Sequence, residues 1–199
     1  MKVPYFEPWI TNDDKNSVLK SLENRWLTHG PILSKFENNF KHYLNSKYAI
    51  GVGSATLALH LAMRALDIGP GDEVIVPTFT FAATANSALY CGAKVVLVDI
   101  DPQTFTISIN SIKKHVSKKT KAIIPVHYGG QSCDMDELTA LSKSRNLSIV
   151  EDCAHALGSK FGKLMCGSIG DIGCFSFYPT KIITTGEGGM VTTNNNKFN

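Results

Sequence analysis

The stretch Phe175-Ser176-Phe177-Tyr178-Pro179-Thr180-Lys181-Ile182-Ile183-Thr184-Thr185-Gly186-Glu187-Gly188-Gly189 sets one lysine among aromatic, β-branched and glycine residues. Such surroundings strip water from an amine. Desolvation lowers a lysine pKa, and the neutral amine is the form that attacks an aldehyde to give an imine. Lys181 is therefore a candidate nucleophile, with a plain surface charge as the alternative. Upstream, Ile149-Val150-Glu151-Asp152-Cys153-Ala154-His155 carries an apolar run into an acid and a histidine. Asp152 in that position could face a ligand or cap a helix, and His155 could touch a ligand or be a packed, hydrogen-bonded imidazole.

Two further places join these. Gly51-Val52-Gly53-Ser54-Ala55-Thr56-Leu57 leads from a strand-like run into a helical pattern. Exposed amides at a helix start, with a threonine hydroxyl beside them, make a phosphate cradle; a plain helix start reads the same way. A dinucleotide fingerprint would need a third glycine and a well-placed acid after the second strand, and neither follows. In Pro77-Thr78-Phe79-Thr80-Phe81-Ala82-Ala83-Thr84, aromatics sit directly after a strand-like run, where they belong to the core or stack on an aromatic ligand. Taken together, the four places ask for one ligand with a phosphate, an aldehyde and a ring nitrogen that needs a carboxylate. Pyridoxal 5′-phosphate has all three. Its chemistry calls for an aspartate that keeps the pyridinium nitrogen protonated and a lysine that binds the aldehyde, roles that Asp152 and Lys181 can fill.

The elements that must position these residues alternate along the chain. Strand-like runs lie at Tyr48–Val52, Glu73–Val76, Val95–Val98, Ala122–Val126, Leu147–Val150, Gly173–Phe177 and Met190–Thr193. Helical patterns separate them at Thr56–Leu66, Phe81–Tyr90, Ser111–Val116 and Met135–Ser144, and two more precede them, one opening at Thr11 and one over Leu33–Leu44. Thr11 and Asp14 have the spacing of a capping box. Gly69-Pro70-Gly71-Asp72 and Asp101-Pro102 mark turns. This alternation predicts an α/β fold with three layers and a mostly parallel sheet. In such a sheet ligands gather beyond the carboxyl ends of the strands, where all four places fall. With no repeat and no Ser/Gly-rich linker, the chain reads as one domain over 1–199, an N-terminal segment 1–45 followed by a sheet part 46–199. The ending in Asn194-Asn195-Asn196 offers no apolar helix to cover the last strand, so the chain is expected to be part of something larger.

With 199 residues and 43% apolar content, the chain can bury a core and is no disordered segment. No apolar run approaches the ~20 residues of a membrane helix, and the N-terminus lacks an apolar stretch behind a basic start. Neither a membrane nor a secretory route is expected. A net charge of +3 implies no nucleic-acid partner. The basic cluster Lys113, Lys114, Lys118, Lys119 and Lys121 reads as a solvated face. Five cysteines without C-x-x-C spacing read as reduced thiols of a cytoplasmic protein, with neither a disulfide frame nor a metal site.

The motifs Gly53-Ser54-Ala55-Thr56-Leu57-Ala58-Leu59-His60, Pro77 to Asn86, Glu151-Asp152-Cys153-Ala154-His155-Ala156, and Phe175-Ser176-Phe177-x-x-x-Lys181 leading into Thr184-Thr185-Gly186-Glu187-Gly188-Gly189 occur here in order. In this the chain resembles the amino-terminal half of the DegT/DnrJ/EryC1/StrS nucleotide-sugar aminotransferases, pyridoxal-phosphate enzymes of fold type I. The resemblance implies that the chain is the cofactor-binding large domain and that a C-terminal small domain is absent. It implies that Lys181 holds the cofactor and moves a proton, that Asp152 pairs with the ring nitrogen, and that His155 lies near the 3-hydroxyl side. Ala55, Thr56 and Ser176 resemble phosphate contacts, and Phe81 resembles the ring-stacking residue. The implied reaction moves the amine of L-glutamate to a 4-keto-6-deoxy nucleotide sugar, in a homodimer, toward surface polysaccharide. The segment Lys181–Met190 with Cys133-Asp134-Met135-Asp136 is similar to GDP-perosamine synthases. Lysine at 181 favours transamination over the family's sugar dehydratases, which carry histidine there. A truncated remnant that is inactive or regulatory is the competing expectation.

Overall fold

The computed structural model describes residues 3–4 and 6–198; Met1, Lys2, Tyr5 and Asn199, and with them the outermost ends of the expected domain, lie outside that description. The first helix, α1 (Asn12–Glu23), starts where the capping box places it: the Thr11 hydroxyl accepts the Asp14 amide and the Asp14 carboxylate accepts the Thr11 amide. Helix α2 (Pro31–Leu44) begins at a proline, whose missing N–H and fixed φ suit a first helical position. Then follow β1 (Tyr48–Val52), α3 (Ala55–Ala65), β2 (Glu73–Pro77), α4 (Ala82–Leu89), β3 (Lys94–Val98), α5 (Ile109–His115), β4 (Thr120–Ile123), α6 (Met135–Arg145), β5 (Ser148–Asp152), a short β6–β7 hairpin (Lys160–Phe161, Leu164–Met165), β8 (Ile172–Ser176) and β9 (Gly189–Thr193).

Seven strands form one sheet in the order β1-β9-β8-β5-β4-β2-β3. The four pairings from β8 to β3 are parallel, and β9 runs antiparallel to both neighbours, β8 and β1. The mostly parallel sheet expected from the alternation is present. The reversed strand follows from connectivity: no helix intervenes between β8 and β9, and adjacent strands run parallel only across a long crossover. β4 also departs from the expected Ala122–Val126 run. It starts at Thr120, and its ladder ends at Ile123 because Pro125 has no N–H to donate. Val126 rejoins the sheet through an isolated bridge to Asp152. The β6–β7 hairpin, with two residues per strand, is too short to leave a periodic signal in the sequence.

Alternation along the strands divides the core. Val74, Val76, Val150, Ile172 and Cys174 pack against α3 and α4 on one face. Ile75, Ile123 and Ile149 pack against α5 and α6 on the other, and Phe175, Phe177 and Met190 extend that layer to Phe40 and Leu44 of α2. The three layers are thus helices on both faces of one sheet. Among the described residues no helix is long and apolar enough to cross a membrane. The lysine cluster around 113–121 is exposed, as expected.

Gly189, the first residue of β9, lies so close to the turn that feeds α3 that a Cβ there would stand 2.5 Å from the Ser54 carbonyl carbon and 2.8 Å from the Ala55 nitrogen. Those neighbours are backbone and cannot swing aside. Gly189→Ala is expected to destabilise the protein by about 1–3 kcal/mol, as overpacking does; an unchanged urea midpoint would refute this tight fit.

Candidate active site

The strand ends converge on a cavity of about 450 Å³, within the range of small-ligand sites. It lies at the carboxyl edge of the sheet, where the chain leaves β1, β2, β5 and β8. All seven residues singled out from the sequence line it: Ala55, Thr56, Phe81, Asp152, His155, Ser176 and Lys181.

Each reaches the cavity for a local reason. Ser54 caps α3, its hydroxyl accepting the Leu57 amide at 3.2 Å. The amides of Ala55 and Thr56 belong to the same first turn, where helix amides lack intrahelical acceptors and the helix dipole favours an anion. Ser176 ends β8 on the same side. Phe81 occupies the N-cap position of α4 and is 78% exposed.

Asp152 is the last residue of β5 and is 4% exposed. Its Oδ2 accepts the Thr84 hydroxyl at 2.8 Å and its Oδ1 the Ala154 amide at 3.1 Å. Burial raises its pKa, and these two hydrogen bonds oppose the rise. Lys181 follows β8 in a turn closed by its amide on the Tyr178 carbonyl. It is half-buried, and that burial lowers its pKa while the Asp152 charge works the other way. The His155 pKa is lowered, first by burial and then by Lys181. His155 Nδ1 accepts the Gly129 amide at 3.4 Å, which leaves the proton of the neutral ring on Nε2.

Several lining residues carried no distinct sequence signal. Thr84 is fully buried beside Asp152, and Thr80 bonds to it at 2.7 Å. Tyr128 stacks at a tilt on Phe79 with centroids 4.3 Å apart and meets His155 edge-on at 5.3 Å. Two hydroxyls four residues apart at a helix start mark one helix face, but only the fold shows that Thr84 abuts a carboxylate.

Glu151, next to Asp152, points to the opposite face of the sheet. It is fully buried and accepts the amides of Gly167, Ile169 and Gly170 at 2.7–2.8 Å, with His127 Nε2 at 2.9 Å. His127, Glu151 and Cys153 stand close enough together to have the outline of a metal cluster. Yet His127 Nδ1 already accepts the Cys133 amide and both Glu151 oxygens are taken, so this group ties loops together. The five cysteines are free and buried.

Residues 8–199 match the model of the DegT/DnrJ/EryC1/StrS aminotransferase family. The chain belongs to that family. A GDP-perosamine synthase of Escherichia coli O157:H7 is 46% identical over 193 residues, covering 96% of this chain and 53% of the relative. The solved aminotransferase from Psychrobacter cryohalolentis superposes with a TM-score of 0.94 at 44% identity, covering 97% of this chain and 50% of the other. A sugar aminotransferase of Streptococcus pneumoniae in its PLP-form superposes at 0.93 with 36% identity, over the whole of this chain and 55% of the other. The chain thus spans about half the length of the relatives it matches.

The family's cofactor is pyridoxal phosphate, and the cavity suits it. It offers a helix N-terminus flanked by hydroxyls for a phosphate, an amine for an aldehyde, and a buried carboxylate for a ring nitrogen. The donor set has the charge each part of that molecule needs.

Without cofactor, the raised Asp152 pKa has a stability consequence. Ionised Asp152 is less favourable in the fold than in the unfolded chain, so it lowers stability above its folded-state pKa. That cost fades as pH falls through the folded value toward the unfolded one. Asp152→Asn, measured as apoprotein by thermal melting, is expected to match or exceed the parent Tm at pH 7, with the difference shrinking toward pH 4. A variant much less stable at pH 7 would contradict a costly buried charge.

Proposed function

We propose that this chain forms the cofactor half of a pyridoxal-phosphate-dependent aminotransferase that moves the amine of L-glutamate onto a 4-keto-6-deoxy nucleotide sugar. The observation that carries the reading is that Lys181 and Asp152, distant in sequence, line the same cavity. When bound, the cofactor supplies a carbonyl that captures amines and a protonated ring that takes up electrons. The chain's residues supply the rest. Lys181 Nζ, eased toward its neutral form by burial, would hold the cofactor through its aldehyde carbon and, once free of it, would carry the proton of the substrate Cα. Asp152 holds the proton on the ring nitrogen. His155 offers Nε2–H toward the 3-hydroxyl side, and Phe81 covers a ring face. Ala55, Thr56 and Ser176 hold the phosphate.

The GDP-perosamine synthases among the relatives support a GDP-linked 4-keto-6-deoxy sugar, and a relative named as a spore coat polysaccharide biosynthesis protein supports a product bound for surface polysaccharide; the reading places the reaction in the cytoplasm. Lysine at 181 supports transamination over dehydration. The reading includes a homodimer, supported by large apolar side chains left exposed around the cavity, Phe81 at 78% and Ile182 at 70%.

Addition of pyridoxal phosphate is expected to give a visible absorbance band that Lys181→Ala abolishes. Glutamate should convert the band, and a GDP-4-keto-6-deoxy sugar should restore it. A folded, cofactor-loaded sample with no spectral response to glutamate would favour an inactive remnant.

A further inference from the structure

A threonine inside a helix can turn its hydroxyl back to the carbonyl four residues earlier, as Thr139 does to Met135 at 2.7 Å. Thr84, in the first turn of α4 and fully buried, instead leaves its helix and bonds the Asp152 carboxylate 68 residues away at 2.8 Å. An ionised carboxylate can only accept, so Thr84 donates. Its remaining contact, to Thr80 Oγ1 at 2.7 Å, must then be received from Thr80. The two hydroxyls form a one-way chain of donors that starts at the cavity wall and ends on Asp152 Oδ2.

We propose that Thr84 is a positioning residue, its hydroxyl fed by Thr80 and keeping the Asp152 carboxylate ionised and aimed at the cofactor's ring nitrogen. The proposal rests on the reading of Asp152 as the partner of that nitrogen. A carboxylate in a dry site reverts to its neutral form unless donors hold the charge, and hydrogen bonds to a charged group are among the strong ones. Asp152 has two such donors, Thr84 and the Ala154 amide, one on each oxygen. The other titratable groups acting on it are His155, His127, Lys181 and Cys174. None of them is hydrogen-bonded to its carboxylate among the described residues, so Thr84 is the side chain that fixes the carboxylate plane.

Thr84→Val removes the hydroxyl at nearly constant shape, and Thr84→Ser keeps it. In apoprotein carrying 13C-labelled aspartate, with the Asp152 resonance identified by its loss in Asp152→Asn, Thr84→Val is expected to raise the proton affinity of Asp152 about tenfold. Thr84→Ser should stay within about threefold of the parent. Thr80→Val, at a half-buried position, should move the titration the same way by a smaller factor and serves if Thr84→Val does not fold. In protein loaded with pyridoxal phosphate labelled with 15N in the ring, Thr84→Val should shift the ring resonance toward the unprotonated form. An Asp152 titration unmoved in both valine variants overturns the proposal, even if their melting temperatures fall, because a merely structural threonine would do only that. A moved titration with an unmoved ring resonance would instead sink the pairing of Asp152 with the ring and leave the link from Thr84 to Asp152 standing.

Discussion

A carboxylate that is almost wholly removed from water must be answered by donors, and at Asp152 that demand organises the centre of the molecule. The answer comes from separate elements: a hydroxyl from the first turn of α4 and an amide from the turn after β5. The Asp152 amide in turn donates to the Pro125 carbonyl at 2.9 Å, and its carbonyl accepts the His127 amide at 3.1 Å, which pins the end of β4 beside it. A shift of α4 or of the β4 exit would leave a charge buried without partners, at a cost of several kcal/mol. Geometry at the cavity floor is therefore specified by electrostatics as well as by packing.

The neighbouring pair Glu151 and Asp152 shows two uses of one chemical group. Both are buried and both end the same strand, yet they face opposite ways because side chains alternate along β5. Glu151 has its oxygens filled by three loop amides and an imidazole, a closed arrangement that holds the 167–170 loop and the His127 turn. Asp152 accepts fewer partners and faces a cavity. Closed, the first serves structure. Open, the second remains able to receive one more donor from a ligand. The Glu151 clamp also acts on the site indirectly, because His127 precedes Tyr128, whose ring forms part of the cavity wall against Phe79 and His155.

Much of this was legible in the sequence. Apolar runs marked seven strands; the clearest, Glu73–Pro77, is buried throughout, and a strand covered on both faces has few polar positions to interrupt it. Thr11 with Asp14 and the proline at Pro31 fixed helix starts through local bonds and backbone limits. The reversed direction of β9 was only half legible: the sequence shows no helix between β8 and β9, but it carries no mark that the two strands are neighbours. The β6–β7 hairpin was not legible, nor was the early end of the β4 ladder ahead of Pro125.

For the site, residue type and position at strand ends were enough to point to Lys181, Asp152, His155 and the α3 turn, and the structure gathers them around one cavity at the carboxyl edge of the sheet. That Glu151 and Asp152 point apart followed only from the structure, where β5 runs on through both of them instead of ending at Val150 as the apolar run had marked it. Which of the two meets the cavity was decided by the tertiary structure, through the side of the sheet on which α3 and α4 pack. The partnership of Thr84 with Asp152 was likewise decided there: it joins a helix start to a strand end 68 residues later, and a hydrogen bond between distant segments depends on distances that no local pattern encodes.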